Sequence, residues 1–258
     1  MAVAASTTNE THDRLFAGTL SLRQPARRAG YRVNVDALLL GAFAAGALAG
    51  GEARPPRAAR ARHAVDLGSG VGAVGLTLLH LGAATRVTFV ELDDALARLA
   101  TQNAEENGWT ERARVVHADV THAANELRGE ADLVVCNPPY VPPGRGRAPA
   151  DRVRAARYGD VGAFVEAARK VAGRRARVCF VYPAIEATTL LTTLRERGLE
   201  PKRFRAVHGR AADKARVVLV EAVAGKPGGL AIEPALIETV GRGARSPELE
   251  ALLSTPRR

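Results

Sequence analysis

Lysine is nearly absent: Lys170, Lys202, Lys214 and Lys226 are the only four in 258 residues. Cysteine is scarcer still, and Cys136 and Cys179 each sit inside an apolar run, Leu-Val-Val-Cys and Arg-Val-Cys-Phe-Val. Those are positions of buried small hydrophobes, so neither a disulfide framework nor a cysteine nucleophile is expected. The six histidines show no paired helical spacing and no cysteine partners at zinc-finger intervals, which leaves a metal site unsupported. No apolar run reaches the ~18 to 20 residues that a membrane span requires; the nearest, Ala37 to Ala49, is interrupted by Gly41 and Gly46. The polar start, Met1 to Asp13, carries no basic-then-apolar signal pattern and reads as a frayed tail. A cytoplasmic protein without a membrane partner is expected. No internal repeat is visible.

What is present is ordinary globular material. Hydrophobic residues make up 47% and charged residues 25%, enough to bury a core without staples, which excludes disorder, collagen and coiled coil as descriptions of the whole. At roughly 150 residues per domain, the length fits one large domain or a domain with a modest appendage. The 37 Lys+Arg against 27 Asp+Glu give a net charge of +10, nearly all of it arginine. Two readings stay open at this level: a preference for polyanions, or a composition rich in Ala, Gly and Arg.

The hydrophobic pattern alternates between two periods. After a Gly/Pro/Ala/Arg-rich loop at Gly50 to Arg62, His63 to Leu67 reads as a strand, Gly-Ser-Gly-Val-Gly as a turn, and Ala73 to Leu81 as a helix. Arg86 to Val90 is the next strand, and Asp93 to Asn107 is a helix that opens on acids and stops at Asn107-Gly108. Arg114 to Val116, Leu133 to Cys136 and Val178 to Tyr182 are further strands, with helices at Val161 to Val171 and Ile185 to Arg197. Pro201 to Val207 and Ala215 to Val223 form a candidate antiparallel hairpin. Upstream, Ala37 to Leu48 reads as a helix with Asp36 as its N-terminal acid. The alternation predicts an α/β fold, a doubly wound, mainly parallel sheet with an antiparallel C-terminal hairpin. Ligands of such sheets bind at the carboxyl ends of the strands, so a ligand is expected at the residues just after Leu67, Val90, Val116 and Cys136.

After the first strand comes Asp66-Leu67-Gly68-Ser69-Gly70-Val71-Gly72-Ala73. Its glycines allow a sharp turn and close approach of a ligand at the start of a helix with free amides. Glu91, at the end of the next strand, suits a carboxylate that holds ribose hydroxyls. Asp66, two residues before the first glycine, suits a ligand with a cationic amino group and no pyrophosphate. That favours S-adenosyl-L-methionine over NAD, and no catalytic Tyr/Lys pair supports a reductase. Asp119 ends a strand, where it reads either as an acceptor from the cofactor's adenine or as a loop cap. Asn137-Pro138-Pro139-Tyr140 follows Leu-Val-Val-Cys. Its two prolines fix φ, remove two donors and leave carbonyls free to accept. The Asn137 side-chain oxygen and the Pro138 carbonyl can accept the two hydrogens of an exocyclic amine, localising its lone pair, while Tyr140 stacks on the flat target.

These motifs, Asp66 to Gly72, Glu91, Asp119 and Asn137 to Tyr140, resemble those of Rossmann-like methyltransferases in order and strand-end position. The segment Gly30-Tyr31-Arg32-Val33-Asn34-Val35-Asp36-Ala37-Leu38-Leu39-Leu40-Gly41-Ala42-Phe43 is similar to the N-terminal motif of the bacterial tRNA1(Val) adenine-37 N6-methyltransferase family. The stretches Pro201 to Phe204 and Ala215 to Glu221 are similar to that family as well. The resemblance implies a seven-stranded methyltransferase sheet, S-adenosyl-L-methionine as cofactor, no metal, and transfer of a methyl group to adenine N6 in tRNA. On that basis residues 1–13 are a flexible tail, 14–62 an N-terminal extension covering the cofactor, 63–224 the methyltransferase domain and 225–258 a C-terminal extension. Asn137, Pro138, Pro139 and Tyr140 are the expected catalytic set. Asp66, Gly68, Ser69, Gly70, Gly72, Glu91, Asp119 and Asn137 are the expected cofactor set.

The alternatives are another planar amine, either a release-factor glutamine amide or an rRNA guanine N2, and a non-catalytic RNA-binding module. The glutamine-modifying relatives usually carry a sizeable helical domain before the glycine loop, whereas about sixty residues precede it here. Arg145, Arg147, Arg152, Arg154 and Arg157 crowd the segment directly after Tyr140, where an RNA backbone requires positive charge. Arg23, Arg27 and Arg28 form a second cluster. The tail from Gly225 carries little signal beyond a short helix at Glu248 to Leu253 and a frayed end at Pro256-Arg257-Arg258.

Overall fold

The computed structural model describes residues 10–26, 34–48, 60–140, 161–225 and 227–258. An N-terminal hairpin, β1 (Glu10–Leu15) and β2 (Leu20–Pro25), is followed by α1 (Val35–Ala44). Then β3 (Ala61–Leu67), α2 (Ala73–His80), β4 (Ala84–Glu91), α3 (Asp94–Glu106), β5 (Ala113–His117), α4 (Val120–Glu126) and β6 (Ala131–Cys136) alternate strand with helix. The chain continues through α5 (Val161–Val171), β7 (Ala172–Pro183), α6 (Ala187–Glu196), β8 (Leu199–His208) and β9 (Ala215–Ala224). Short strands β10 (Ala231–Ile232), β11 (Leu236–Ile237), β12 (Thr239–Val240) and β13 (Ala244–Arg245) precede α7 (Pro247–Leu253).

Seven long strands make one sheet in the order β8-β9-β7-β6-β3-β4-β5, with β10 and β11 added at its β8 edge. The five from β7 to β5 are parallel, and β9 lies antiparallel between β7 and β8. The expected doubly wound sheet with its C-terminal hairpin is therefore the fold. Alternate residues of the strands enter two cores. Ala64, Phe89 and Val135 pack with α1, α2, α3, the N-terminal hairpin and α7, while Val65, Val90 and Val134 pack with α4, α5 and α6. Burial on both faces is why these strands are continuous apolar runs in the sequence.

Local chemistry sets the helix boundaries. Asp93 caps α3 by accepting from Ala95 N and Leu96 N, and the helix stops at Asn107 before Gly108, whose φ is +71°. Asn34 caps α1 by accepting from Asp36 N, so Asp36 lies in the first turn rather than at the cap. That helix occupies 35–44 rather than 37–48, and the helix expected from Ile185 starts at Ala187 after a single 3₁₀ turn, Ala184–Glu186.

Among the described residues, two segments expected to fray are ordered. The polar start expected to fray through Asp13 is strand from Glu10, because each β1 residue finds a partner on β2. At the other end, Arg258 N donates to His80 O at 3.0 Å and Arg257 lies 4.5 Å over the Trp109 ring, so Pro256-Arg257-Arg258 is docked. Arg205, only 1% exposed, makes two 2.7 Å bonds to the Glu248 carboxylate, which ties α7 to β8. Cys136 and Cys179 are free and buried, and burial pushes both thiols up, leaving them small hydrophobes.

Candidate active site

A cleft of about 410 Å3 opens at the carboxyl ends of β3, β4, β5, β6 and β7. Gly68 and Gly70 form one side, Glu91 and Asp119 the ends of two neighbouring strand segments, and Asn137, Pro138, Pro139 and Tyr140 the facing side. The volume is within the range of small-molecule sites. Eight residues read from the sequence as catalytic or cofactor-binding thus share one wall-to-wall space. Asp66, Ser69 and Gly72 do not line it; Asp66 belongs to β3, and Ser69 and Gly72 to the loop that follows.

The glycine loop is held from both sides. Glu91 accepts from Gly70 N at 2.7 Å through one carboxylate oxygen and from Asp93 N at 2.9 Å through the other. Asp66, 1% exposed, accepts from Gly75 N at 2.9 Å and so pins the first turn of α2 beneath the loop. Burial raises the Asp66 carboxyl to about 7, with the Gly75 bond opposing and the Glu91 charge adding to the shift. Gly68 and Gly70 both have positive φ, +68° and +57°. A Cβ at Gly70 would project into open space, so that glycine is required for its backbone angle. At Gly68 a Cβ would meet the Phe164 ring at 3.0 Å.

Asp119 resolves its two readings by doing one and remaining available for the other. Its Oδ1 accepts from Thr121 N at 2.8 Å as the cap of α4, and the residue also lines the cleft. On the facing side, Tyr140 meets Tyr182 edge to face at 5.6 Å, and its hydroxyl donates to Glu186 Oε1 at 3.5 Å. Desolvation and the Glu186 carboxylate raise the Tyr140 hydroxyl above its ordinary value, so it stays a neutral donor.

Several lining residues lie outside the expected catalytic and cofactor sets. Asn34, Asp36, Asp93 and Phe164 enter the cleft from α1, the start of α3 and α5. In sequence Asp93 is an ordinary helix cap and Phe164 an ordinary core residue. Asn34 and Asp36 lie in the segment similar to the family's N-terminal motif, within the extension expected to cover the cofactor, and both line the cleft. Asp36 pairs with Arg216 at 2.6 Å and accepts from Asn34 Nδ2 at 2.7 Å. Arg145, Arg147, Arg152, Arg154 and Arg157 fall outside the described residues, as do Arg27, Arg28 and Gly30 to Val33.

The charge of the lining is one-sided. Asp36, Glu91, Asp93 and Asp119 are acidic, and among the described residues no lysine or arginine lines the cleft. A dinucleotide pyrophosphate is repelled there, whereas a ligand carrying a sulfonium and an ammonium is attracted. Two buried polar atoms beneath the loop, Asp66 Oδ1 and Ser69 Oγ, have no partner within the protein. S-adenosyl-L-methionine, net cationic and carrying ribose hydroxyls and amino groups that donate, fits this set of acceptors.

The comparisons with known proteins agree. Residues 54–150 match the model of the methyltransferase small domain family. A tRNA1(Val) (adenine(37)-N6)-methyltransferase of Aeromonas hydrophila is 30% identical over 75% of this chain and 77% of its own length. Its counterpart in Enterobacter is 32% identical over 64% of each chain. A 4-amino-L-phenylalanine/4-methylamino-L-phenylalanine methyltransferase of Streptomyces pristinaespiralis is 44% identical over 36% of this chain and 30% of its own. Among solved structures, a predicted O-methyltransferase of Agrobacterium tumefaciens superposes with a TM-score of 0.62 at 24% identity, covering 84% of this chain and 94% of that one. M. jannaschii TYW2 in complex with AdoMet superposes at 0.55 and 14% identity, covering 86% and 88%.

Fold, cleft and relatives together define an S-adenosylmethionine-dependent methyltransferase. The chain belongs to the tRNA1(Val) (adenine(37)-N6)-methyltransferase family.

Proposed function

We propose that the protein methylates the exocyclic N6 of an adenine in tRNA, the tRNA1(Val)-type anticodon-loop adenine that its relatives' names specify. The observation that carries this reading is the single cleft shared by the glycine loop, the four carboxylates and Asn137 to Tyr140. When bound, S-adenosyl-L-methionine supplies an electrophilic methyl group. Glu91, Asp119 and Gly70 hold that cofactor, and Asp66 supports the loop from below. The lone pair of an adenine amine is delocalised into its ring. The Asn137 side-chain oxygen and the Pro138 carbonyl accept its two hydrogens, concentrate the lone pair on nitrogen and aim it into the cleft. Pro139 keeps the turn rigid. Tyr140, braced by Tyr182 and Glu186, offers a face on which a base splayed out of the RNA stacks. The surplus proton leaves nitrogen after transfer, so no general base with a shifted pKa is required.

The test is isotopic methyl transfer to tRNA from a strain lacking the gene, followed by nucleoside analysis. N6-methyladenosine is expected with the wild type and, with Asn137→Ala, at about 100-fold lower initial rate; equal rates from both proteins refute the assignment of Asn137. A second reading, methylation of a free aromatic amine, rests on the likeness to the aminophenylalanine enzyme. Running 4-amino-L-phenylalanine as a parallel acceptor separates the two.

A further inference from the structure

Among the described residues, the segment after β9 contributes none to the lining of the cleft, yet it is wired to it. Glu238, just after β11, holds the Arg216 guanidinium by two bonds, Nη2 to Oε1 at 2.8 Å and Nε to Oε2 at 3.0 Å. Arg216, on β9, in turn sits 2.6 Å from Asp36 Oδ1. The other oxygen of Asp36 accepts from Asn34 Nδ2, and Asn34 Oδ1 accepts from Asp36 N. Asn34 and Asp36 both line the cleft. Asp36 and Glu238 are 9% and 11% exposed at the side chain, whereas Arg216 between them is 39% exposed, so the two carboxylates are shielded from solvent and the guanidinium is partly open to it. Arg216 is shared between two carboxylates, which leaves the trio with a net charge of −1, directed at the cleft through Asp36.

We propose that Arg216 is a positioning residue: clamped by Glu238, it fixes Asp36 and Asn34 against the cleft, so that the C-terminal segment controls affinity for the cationic cofactor. This rests on the reading of the cleft as the S-adenosyl-L-methionine site. Without Arg216, Asp36 loses its ion-pair partner and keeps the bond from Asn34 Nδ2, and the first turn of α1 loses this tie to β9. A Glu238 carboxylate without Arg216 is left as a second negative charge that repels Asp36 rather than orienting it. Arg216 acts only through Asp36, and that distinguishes a positioning role from general support of the fold.

Calorimetric titration with S-adenosyl-L-methionine tests this, on wild type, Arg216→Met, Arg216→Lys, Glu238→Gln, Asp36→Asn and the Asp36→Asn/Arg216→Met double variant. Binding by the wild type checks the cleft reading first; if the wild type does not bind, that reading fails and this one with it. Given binding, Arg216→Met is expected to weaken affinity about tenfold, Glu238→Gln about threefold, and Arg216→Lys to recover part of the loss. In the Asp36→Asn background the Arg216→Met change is expected to add less than twofold. An Arg216→Met affinity within twofold of wild type overturns the proposal, and so do losses that multiply in the double variant. If Arg216→Met does not fold, as judged by circular dichroism, Glu238→Gln decides: an affinity equal to wild type overturns the clamp.

Discussion

Asp66, next to the last residue of β3, has one carboxylate oxygen bonded to Gly75 N and the other without a partner. Its carboxyl is raised from 3.8 to about 7, first by burial. A raised carboxyl binds its proton more tightly in the folded chain than in the unfolded one, so stability falls as pH rises from about 4 to about 7 and levels above that window. Three pH units correspond to a cost on the order of 4 kcal/mol for ionising it in place. Asp66→Asn keeps an acceptor for Gly75 N and removes the charge. The variant is expected to melt higher than wild type at pH 8 and equally at pH 4, and a constant difference across the range refutes this assignment. Asn137→Ala removes one of two acceptors for the target amine, and kcat for tRNA is expected to fall about 100-fold, as for loss of one preorganised dipole. Initial rates at saturating cofactor measure it. At this scale the sequence was most legible where backbone geometry demands a residue type, as at Gly70 or Pro138. It was least legible where a common residue acquires its role by tertiary approach. Asp93 and Phe164 face the cleft because α3 and α5 pack beside it, and neither residue differs in sequence from a cap or a core phenylalanine.

Among the elements, α2 shows how the loop is kept rigid. Gly75, in its first turn, faces β4 so closely that an added Cβ would lie 2.4 Å from Phe89 Cε1 and 2.8 Å from Val87 Cγ1. Phe89 is fully buried, so its ring has no open space to move into. Gly75→Ala improves helix propensity by roughly 1 kcal/mol, but overpacking of this kind costs about 1–3 kcal/mol. The helix must also lift away from β4, carrying the glycine loop with it. A lower urea midpoint together with weaker cofactor binding is expected; a variant as stable as wild type shows that α2 has room to shift. Elements of eight or more residues with a buried face were readable because their period is repeated: α3, α5 and the β8/β9 hairpin lie within a few residues of their expected places. The two-residue strands β10 to β13 cannot repeat a period, and they exist because β8 offers an open edge and Gly241 and Gly243 permit a tight return.

At the scale of the whole molecule the charge divides by location. The described cleft lining is acidic, while the net charge of +10 is carried by arginines elsewhere. A cationic cofactor and a polyanionic substrate require that separation, because one field cannot attract both. Many arginines are already committed to internal carboxylates: Arg177 and Arg203 to Glu221, Arg205 to Glu248, and Arg216 to Asp36 and Glu238. This part of the arginine excess serves the fold, so a sequence-level count of charge overstates what is available to RNA. Arg145, Arg147, Arg152, Arg154 and Arg157 follow Tyr140 directly in the chain, and we propose them as the phosphate-binding part. Replacing all five by glutamine is expected to weaken tRNA binding strongly at low salt. It should also flatten the dependence of log K on log salt concentration by about 0.7 to 0.9 for each phosphate that is no longer neutralised. Affinity for S-adenosyl-L-methionine, set by the acidic cleft, is expected to remain within twofold of wild type. Filter binding across a salt series, paired with calorimetry on the cofactor, measures both. An unchanged salt slope would assign those arginines to composition alone and move the RNA-binding charge to another face of the protein.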